Sequence, residues 1–206
     1  MPSITRYKYY YFKKVLSPSF CDKVIQHGKS LTSEIAQTGH KRFELKTQGQ
    51  KKKQKELRDS TVSWISDVWV TKEIDYYVSE ANRKAGWNFD ICGSEDIQFT
   101  EYGVGQYYDW HTDSNNGPNI LGKWAGTIRK LSVTVSLTDP NEYDGGYLEF
   151  DFKNYANGPQ IKNKCLQILP RGSIVVFPSY IWHRVTPITR GIRHSLVQWN
   201  SGPPFK

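Results

Sequence analysis

Hydrophobic and polar positions alternate most cleanly in residues 130–138, where Leu131, Val133, Val135 and Leu137 share one face and Ser132, Thr134 and Ser136 the other. A period of two is that of a strand with one face in an apolar core. Short segments of similar texture, bounded by Gly and Pro, lie at residues 91–102, 106–113, 127–137, 147–151, 165–169, 173–177, 181–185 and 192–199. So many short strands punctuated by turn residues predict an antiparallel double-sheet jelly roll, a double-stranded β-helix. If the strand at 127–137 lines the inside of that barrel, its small hydroxyl face leaves room for a ligand.

Before residue 87 the pattern changes. Residues 6–16 have β propensity, and Ser17-Pro18 offers an N-cap followed by proline at the first helical position. Phe20, Val24 and Ile25 then fall at helical spacing, with Gly28 as the expected stop. Val62, Ile65, Val68 and Trp69 suggest a short amphipathic stretch, and residues 72–84 a firmer helix with Ile74, Tyr77, Val78 and Ala81 inward, closed by Arg83, Lys84 and Gly86. Between these stretches, residues 37–60 carry a dense lysine run with few apolar positions and read as a mobile basic loop. That loop is either a solvated insertion or a lid that docks an acidic substrate. The expected organisation is therefore mainly β with flanking α-helices: one domain over residues 1–206, with a strand and helices in residues 1–86 and a jelly-roll core at residues 87–200.

Composition narrows this modestly. A chain of 206 residues suits one compact domain better than two. Its three cysteines, Cys21, Cys92 and Cys165, are odd in number and widely spaced, which predicts neither a disulfide framework nor a zinc site, but a reducing compartment. The start of the chain is too polar for a secretory signal, and no apolar run reaches membrane-spanning length, so a soluble cytoplasmic protein is expected. A net charge of +8 suits a polyanion or an acidic protein surface without choosing between them.

The candidate chemistry lies in residues 102–113. His111 and Asp113 stand two positions apart, so an extended strand presents both to one side. Downstream, a turn, a buried strand and a second turn in residues 170–182 lead to His183. Two histidines and one carboxylate around open coordination positions form the facial triad of non-haem Fe(II) oxygenases. Ten residues further on, Arg193 opens the last strand; a guanidinium buried beside such a site needs an anion, and its planar fork suits the far end of a dicarboxylate.

Taken together, His111-x-Asp113, His183, Arg193-x-Ser195 and Tyr102 resemble the Fe(II)- and 2-oxoglutarate-dependent dioxygenases, and especially their prolyl 4-hydroxylase-like, PKHD-type branch. The Gly-Gly-x-Leu turn at Gly145, Gly146 and Leu148 and the Pro170-Arg-Gly-x-x-Val-x-Phe-Pro segment add to the likeness, which is close over residues 90–200. The resemblance implies that the strand and helices of residues 1–86 pack outside the barrel and brace it, and that His111, Asp113 and His183 bind Fe(II). It also implies that Arg193 holds the far carboxylate of 2-oxoglutarate with Ser195 or Tyr102 as hydrogen-bond partners, that O2 is the oxidant and ascorbate a reductant, and that a C–H bond of a peptidyl, prolyl substrate is hydroxylated with release of succinate and CO2. One departure stands out: some prolyl hydroxylases use a tyrosine where this chain has Ser136. The basic charge would also suit an AlkB-like nucleic-acid dealkylase, although the second downstream arginine of that group is missing, and a non-catalytic jelly-roll binding module is a third class. His27 and His40 lack ligand partners in the pattern, His194 should face away from Arg193, Tyr108 reads as packing or site equally with Tyr102, and Trp124 reads as a substrate wall or the anchor of its own loop.

Overall fold

The computed structural model describes residues 7–36, 57–114, 117–152 and 162–205. In chain order the strand β1 (Tyr10–Phe12) leads into α1 (Pro18–Ser30), capped by Ser17, whose Oγ accepts the Phe20 backbone N–H at 3.1 Å. The strands β2 (Glu34–Ile35), β3 (Arg58–Asp59) and β4 (Thr61–Ile65) follow, then α2 (Val68–Lys84), β5 (Gly93–Ser94), β6 (Ile97–Tyr102), β7 (Tyr107–His111) and β8 (Ile128–Ser136). The remainder is β9 (Tyr143–Gly145), β10 (Leu148–Asp151), β11 (Lys162–Lys164), β12 (Ile174–Pro178), β13 (Trp182–Val185), β14 (Ile188–Gly191) and β15 (Arg193–Gly202).

These strands form two main antiparallel sheets, the jelly roll that the sequence predicts. The larger has the order β1-β12-β8-β15-β6-β4-β2, with β5 also on β15, and the smaller β11-β10-β13-β7-β3; β9 and β14 make a separate two-stranded ladder. The β8 alternation explains how the layers stack. Leu131, Val133, Val135 and Leu137 join Leu196, Cys21, Val24, Ile74, Val78 and Ala81 in the main core, so the outer face of the large sheet is covered by both helices. Ser132, Thr134 and Ser136 are buried on the opposite, inner face. At one end the sheets close on Leu148, Phe150, Cys165, Ile168, Val175 and Phe177. Among the described residues no helix is long and apolar enough to cross a membrane.

Several expectations need correction. Residues 61–65 are a strand and do not continue into one amphipathic stretch with Val68 and Trp69: β4 pairs with β6, and its Val62, Ser63 and Ile65 are all buried, which a β-branched run tolerates on a sheet with both faces covered. The helix that follows starts at Val68 instead of residue 72, after Asp67 in extended conformation. Residues 165–169 make a 3-10 turn at Leu166–Ile168, because the buried positions Cys165 and Ile168 are three apart while Leu166 faces solvent. Gly28 does not stop α1, which runs to Ser30; the glycine sits there because a Cβ would overlap the Phe99 ring. The basic segment assigned to residues 37–60 ends in ordered structure, since β3 pairs with β7 and Arg58 is buried; residues 37–56, with His40, lie outside the described residues.

Candidate metal centre

Strand pairing brings the three predicted ligands together. His183 on β13 lies directly opposite His111 at the end of β7, and a register shift follows, so that Val185 faces Tyr108. Asp109 and Trp110 on β7 thus lie opposite the single residue Arg184 on β13, a bulge that turns Tyr108 and His111 toward the same side. Beyond the strand, the backbone N–H groups of Asp113 and Ser114 donate to the Ser179 carbonyl at 2.9 and 3.0 Å, which folds the Asp113 carboxylate back toward the histidines. One ligand atom from each of His111, Asp113 and His183 lies within 4.8 Å of the others.

The tautomers follow from the acceptors. His111 Nδ1 is 2.7 Å from the Asp109 carbonyl and His183 Nδ1 is 2.9 Å from the Ile181 carbonyl. A carbonyl only accepts, so both Nδ1 atoms carry a proton and both Nε2 atoms face the interior. His111 Nε2 stands 3.6 Å from Asp113 Oδ1, and His183 Nε2 3.4 Å from Oδ2. Burial, reinforced by the neighbouring His183, pushes the His111 imidazole down to about 3, so it is neutral over the physiological range. Burial opposes ionisation of Asp113, but His183 and His111 outweigh it and hold the carboxyl well below the usual carboxylate range. A neutral imidazole at His111, a second imidazole presenting Nε2 and an ionised carboxylate suit a divalent transition metal.

Aromatic rings fix the ligands. Phe177 meets His183 edge-on at 4.7 Å, and Tyr108 stacks on His111 with ring centroids 3.5 Å apart and planes 10° apart. Over the same Tyr108 ring lies the Arg58 guanidinium, 4.6 Å from the centroid, while Arg58 Nε donates to Ser60 Oγ at 3.0 Å. Arg58 was absent from the sequence-based site. The available signal was phase: Arg58 and Ser60 continue the inward period of two into Val62 and Trp64.

Farther along the inner face, Arg193, Ser195 and Tyr102 do assemble. Arg193 is 2% exposed, directly opposite Tyr102 across the β15–β6 ladder, with its guanidinium 5.7 Å from the tyrosine ring centroid. Its Nη1 donates to Ser195 Oγ at 3.2 Å, and among the described residues no carboxylate pairs with it. Gly146, at φ +59°, makes this possible: a Cβ there would stand 2.9 Å from Arg193 Cδ. Ser195 is flanked by Ser136 on β8 and Thr100 on β6, and Ser136 Oγ is buried with no hydrogen-bond partner among the described residues. A buried guanidinium without a counter-ion beside an orphaned hydroxyl fits a carboxylate-bearing cosubstrate. At the other end of β15, Arg129 lies 3.9 Å over the Trp199 ring while making two 2.6 Å bonds to Glu95; the sequence reading missed this cluster as well.

The remaining candidates fall outside the site. His194 points to the helix side, where Nε2 meets Glu101 at 3.0 Å and Nδ1 meets Thr138 at 3.1 Å. His27 pairs with Asp67 at 2.8 Å. Trp124 packs on β5, close enough that a Cβ at Gly93 would be 2.9 Å from its ring, so it anchors its own loop.

Comparison with known proteins agrees with this geometry. A sequence model of the 2OG-Fe(II) oxygenase superfamily matches residues 97–201. A PKHD-type hydroxylase of Klebsiella pneumoniae is 35% identical over 101 residues, 49% of this chain and 41% of that protein, and one of Hyphomonas neptunium is 38% identical over 98 residues, 47% and 38% of the two chains. The aligned region thus spans about two-fifths of these curated relatives. In fold, the chain is similar to a Pseudomonas putida prolyl-4-hydroxylase, with TM-score 0.68, 18% identity and coverage of 95% of this chain and 93% of the other. It is also similar to a Trichoplax adhaerens prolyl hydroxylase solved with a peptide fragment of the hypoxia inducible factor oxygen degradation domain, with TM-score 0.66, 19% identity and coverage of 94% and 83%.

Proposed function

Because the chain belongs to the 2OG-Fe(II) oxygenase superfamily, we propose that it is a dioxygenase that hydroxylates a C–H bond of a peptidyl, prolyl substrate, consuming 2-oxoglutarate and O2 and releasing succinate and CO2. The observation that carries this reading is one barrel interior holding both the His111, Asp113 and His183 donors and a buried Arg193 that has no carboxylate partner among the described residues. The peptide assignment rests on the PKHD-type relatives and on the two prolyl hydroxylases of similar fold, one of them named with its peptide.

In this reading His111, His183 and Asp113 hold Fe(II), and Arg193, with Ser195 and Tyr102 beside it, takes the far carboxylate of 2-oxoglutarate. Iron and the cosubstrate, when bound, supply the oxidising power. The chain contributes position. The Asp109 and Ile181 carbonyls lock the two imidazoles in the metal-binding tautomer, and Tyr108, Phe150 and Phe177 shield them from water. The Asp113 carboxylate supplies one negative charge and leaves the metal a net positive charge to attract the keto acid. In the same reading ascorbate would serve as external reductant, and a cytoplasmic site of action fits three unpaired cysteines.

The test is an anaerobic titration of metal-free protein with Fe(II) and then 2-oxoglutarate, followed by the weak visible charge-transfer band, with His111→Ala and Arg193→Ala in parallel. The parent should develop the band, His111→Ala should not, and Arg193→Ala should need far more 2-oxoglutarate. Succinate release would then be compared for prolyl peptides and alkylated oligonucleotides. Folded parent protein that develops no band would overturn the oxygenase reading, and turnover of oligonucleotides alone would overturn the peptide assignment.

A further inference from the structure

We propose that Phe205 is a positioning residue for the metal centre: by clasping Lys130 and Tyr180 it holds the turn at residues 178–181 that orients two of the three ligands. The inference rests on the reading of that centre given above. The turn acts through its carbonyls. Ser179 C=O accepts from the Asp113 and Ser114 N–H groups at 2.9 and 3.0 Å, and Ile181 C=O accepts from His183 Nδ1 at 2.9 Å. A shift of this turn would therefore displace Asp113 and His183 together. His111 would stay, because its Nδ1 bonds to the Asp109 carbonyl on β7. On its inner side the turn is held by β8: the Lys130 C=O accepts from Ser179 N–H at 2.9 Å, and Ser132 Oγ lies 2.9 Å from Ser179 Oγ.

The outer side is held by the segment that follows β15. It passes from β15 over the end of β8 toward the end of β12, and the Phe205 ring meets Tyr180 edge-on at 6.1 Å. Lys130 gives the ring its leverage. That residue is 3% exposed, and among the described residues its Nζ forms no hydrogen bond or ion pair; it lies 3.5 Å from the Phe205 ring centroid and 5.9 Å from that of Phe89. Asp90 adds a favourable charge from beyond ion-pair distance. A buried ammonium with no hydrogen-bond acceptor is costly, and a ring face compensates a desolvated cation better than an exposed one. The ring is itself well placed. It packs edge-on against Phe89 at 5.1 Å, and the Asn82 side chain grips Phe89 by both backbone groups, at 2.8 and 2.9 Å. Gly202 admits the Asp90 carbonyl where a Cβ would stand, so the segment leaves β15 close against the same loop. Phe205 thus reaches the turn by two routes, through the Tyr180 ring and through the residue whose carbonyl bonds Ser179.

The test follows the full chain without metal by backbone amide hydrogen exchange, and loaded with Co(II) by its visible ligand-field bands and metal dissociation rate. Phe205→Leu keeps apolar volume and loses the π face; Phe205→Tyr keeps the ring. In Phe205→Leu the Asp113 and Ser114 amides, which bond to the turn, should exchange about three- to tenfold faster than in the parent, the span to which a cation–π contact converts. Co(II) should leave roughly fivefold faster with shifted bands, a smaller effect than for a residue bonded to a ligand itself. Phe205→Tyr should restore both readouts. Amides of the paired β8 and β15 strands should be unaffected, which separates positioning from general loosening. In a Lys130→Met background Phe205→Leu should do less, because the ring no longer holds a cation. Unchanged exchange at Asp113 and Ser114 in Phe205→Leu would overturn the proposal, as would acceleration shared equally by β8 and β15, or an equal effect in both Lys130 backgrounds. Folded parent protein that binds no Co(II) would instead refute the metal centre, and the proposal with it.

Discussion

Gly28→Ala tests how tightly the outer helix sets the barrel. In an exposed helix this change would stabilise by about 1 kcal/mol through helix propensity. Here the new methyl would lie 2.6 Å from Phe99 Cδ2 and 2.7 Å from Cδ1, with Cγ closer still. Phe99 has nowhere to move: it is 3% exposed, and its far side stacks on His194 at 5.6 Å, which is held in turn by Thr138 and Glu101. The helix cannot retreat freely either, because the Gly28 carbonyl accepts from Ser63 Oγ at 2.8 Å. Overpacking of this kind costs about 1–3 kcal/mol, and overlap with three ring atoms argues for the upper part of that range, so the net loss should be about 1–2 kcal/mol. In a chain of this size that is a fall in Tm of roughly 2–8 °C. Urea denaturation should show a lower midpoint at unchanged m-value. A Gly28→Ala/Phe99→Leu double variant should lose less than the sum of the single changes by about 1 kcal/mol, because the smaller side chain makes room for the methyl. A Gly28→Ala protein as stable as the parent would show that propensity outweighs packing at this position and refute the reasoning.

Three further outcomes are expected. Asp113→Asn removes the only carboxylate of the triad while keeping its shape, so Fe(II) affinity should fall at least about a hundredfold in equilibrium dialysis with the far-UV spectrum retained; retained affinity would place the metal elsewhere. Burial raises the Cys165 thiol to about 11 and also raises Cys21, whereas Cys92 is exposed, so at pH 8 iodoacetamide should label Cys92 first and the other two only on unfolding, as read by peptide mass spectrometry. Burial, opposed by Glu101, lowers the His194 pKa, so the unfolded chain takes up that proton more readily; this stability is present above pH 6.5 and is lost as pH falls through the folded-state value, and His194→Gln should flatten the decline measured by denaturation between pH 7 and 5.

What the sequence disclosed, it disclosed through periodicity and spacing. The β8 alternation correctly separated a helix-packed face from a hydroxyl-lined one, and that division carries through to the inner row Arg193, Ser195 and Trp199 of β15. His111 and Asp113 were legible because they are local to one another, and His183 because strand punctuation led to it. Arg58 was not, because its environment is created by pairing with Tyr108, fifty residues away, and because in the chain it stands at the end of a lysine run that looks solvated. Gly28 misled for a related reason: helix-stop chemistry is local, whereas the Phe99 ring that requires a glycine there arrives from another layer. The Tyr108–His111 stack depends on a bulge that strict alternation cannot express.

The distribution of stabilisation explains why so polar an interior survives. Gln98, Thr100, Ser132, Thr134, Ser136, Arg193 and Ser195 are all buried on the inside of the barrel, where an apolar core would ordinarily be expected. The fold does not need one there. The large sheet is held by burial of its other face under α1 and α2, and the end of the barrel by the Phe150 and Phe177 cluster. The third apolar group, Tyr102, Tyr143, Val185 and Ile188, packs at the Arg193 end and includes the ladder of β9 and β14, whose glycine turn lets Arg193 pass. β15 joins these regions, pairing with β5, β6 and β8 along its length and exposing a helix-packed row on one side and a polar row on the other. With cohesion supplied from outside the barrel, its inner face is free to carry unpaired donors, and a site of this kind gains rigidity from the scaffold before any ligand arrives. The cost of burying the Arg193 guanidinium with no carboxylate partner among the described residues would then be recovered on binding a carboxylate, which would couple ligand affinity to the same strand that organises the fold.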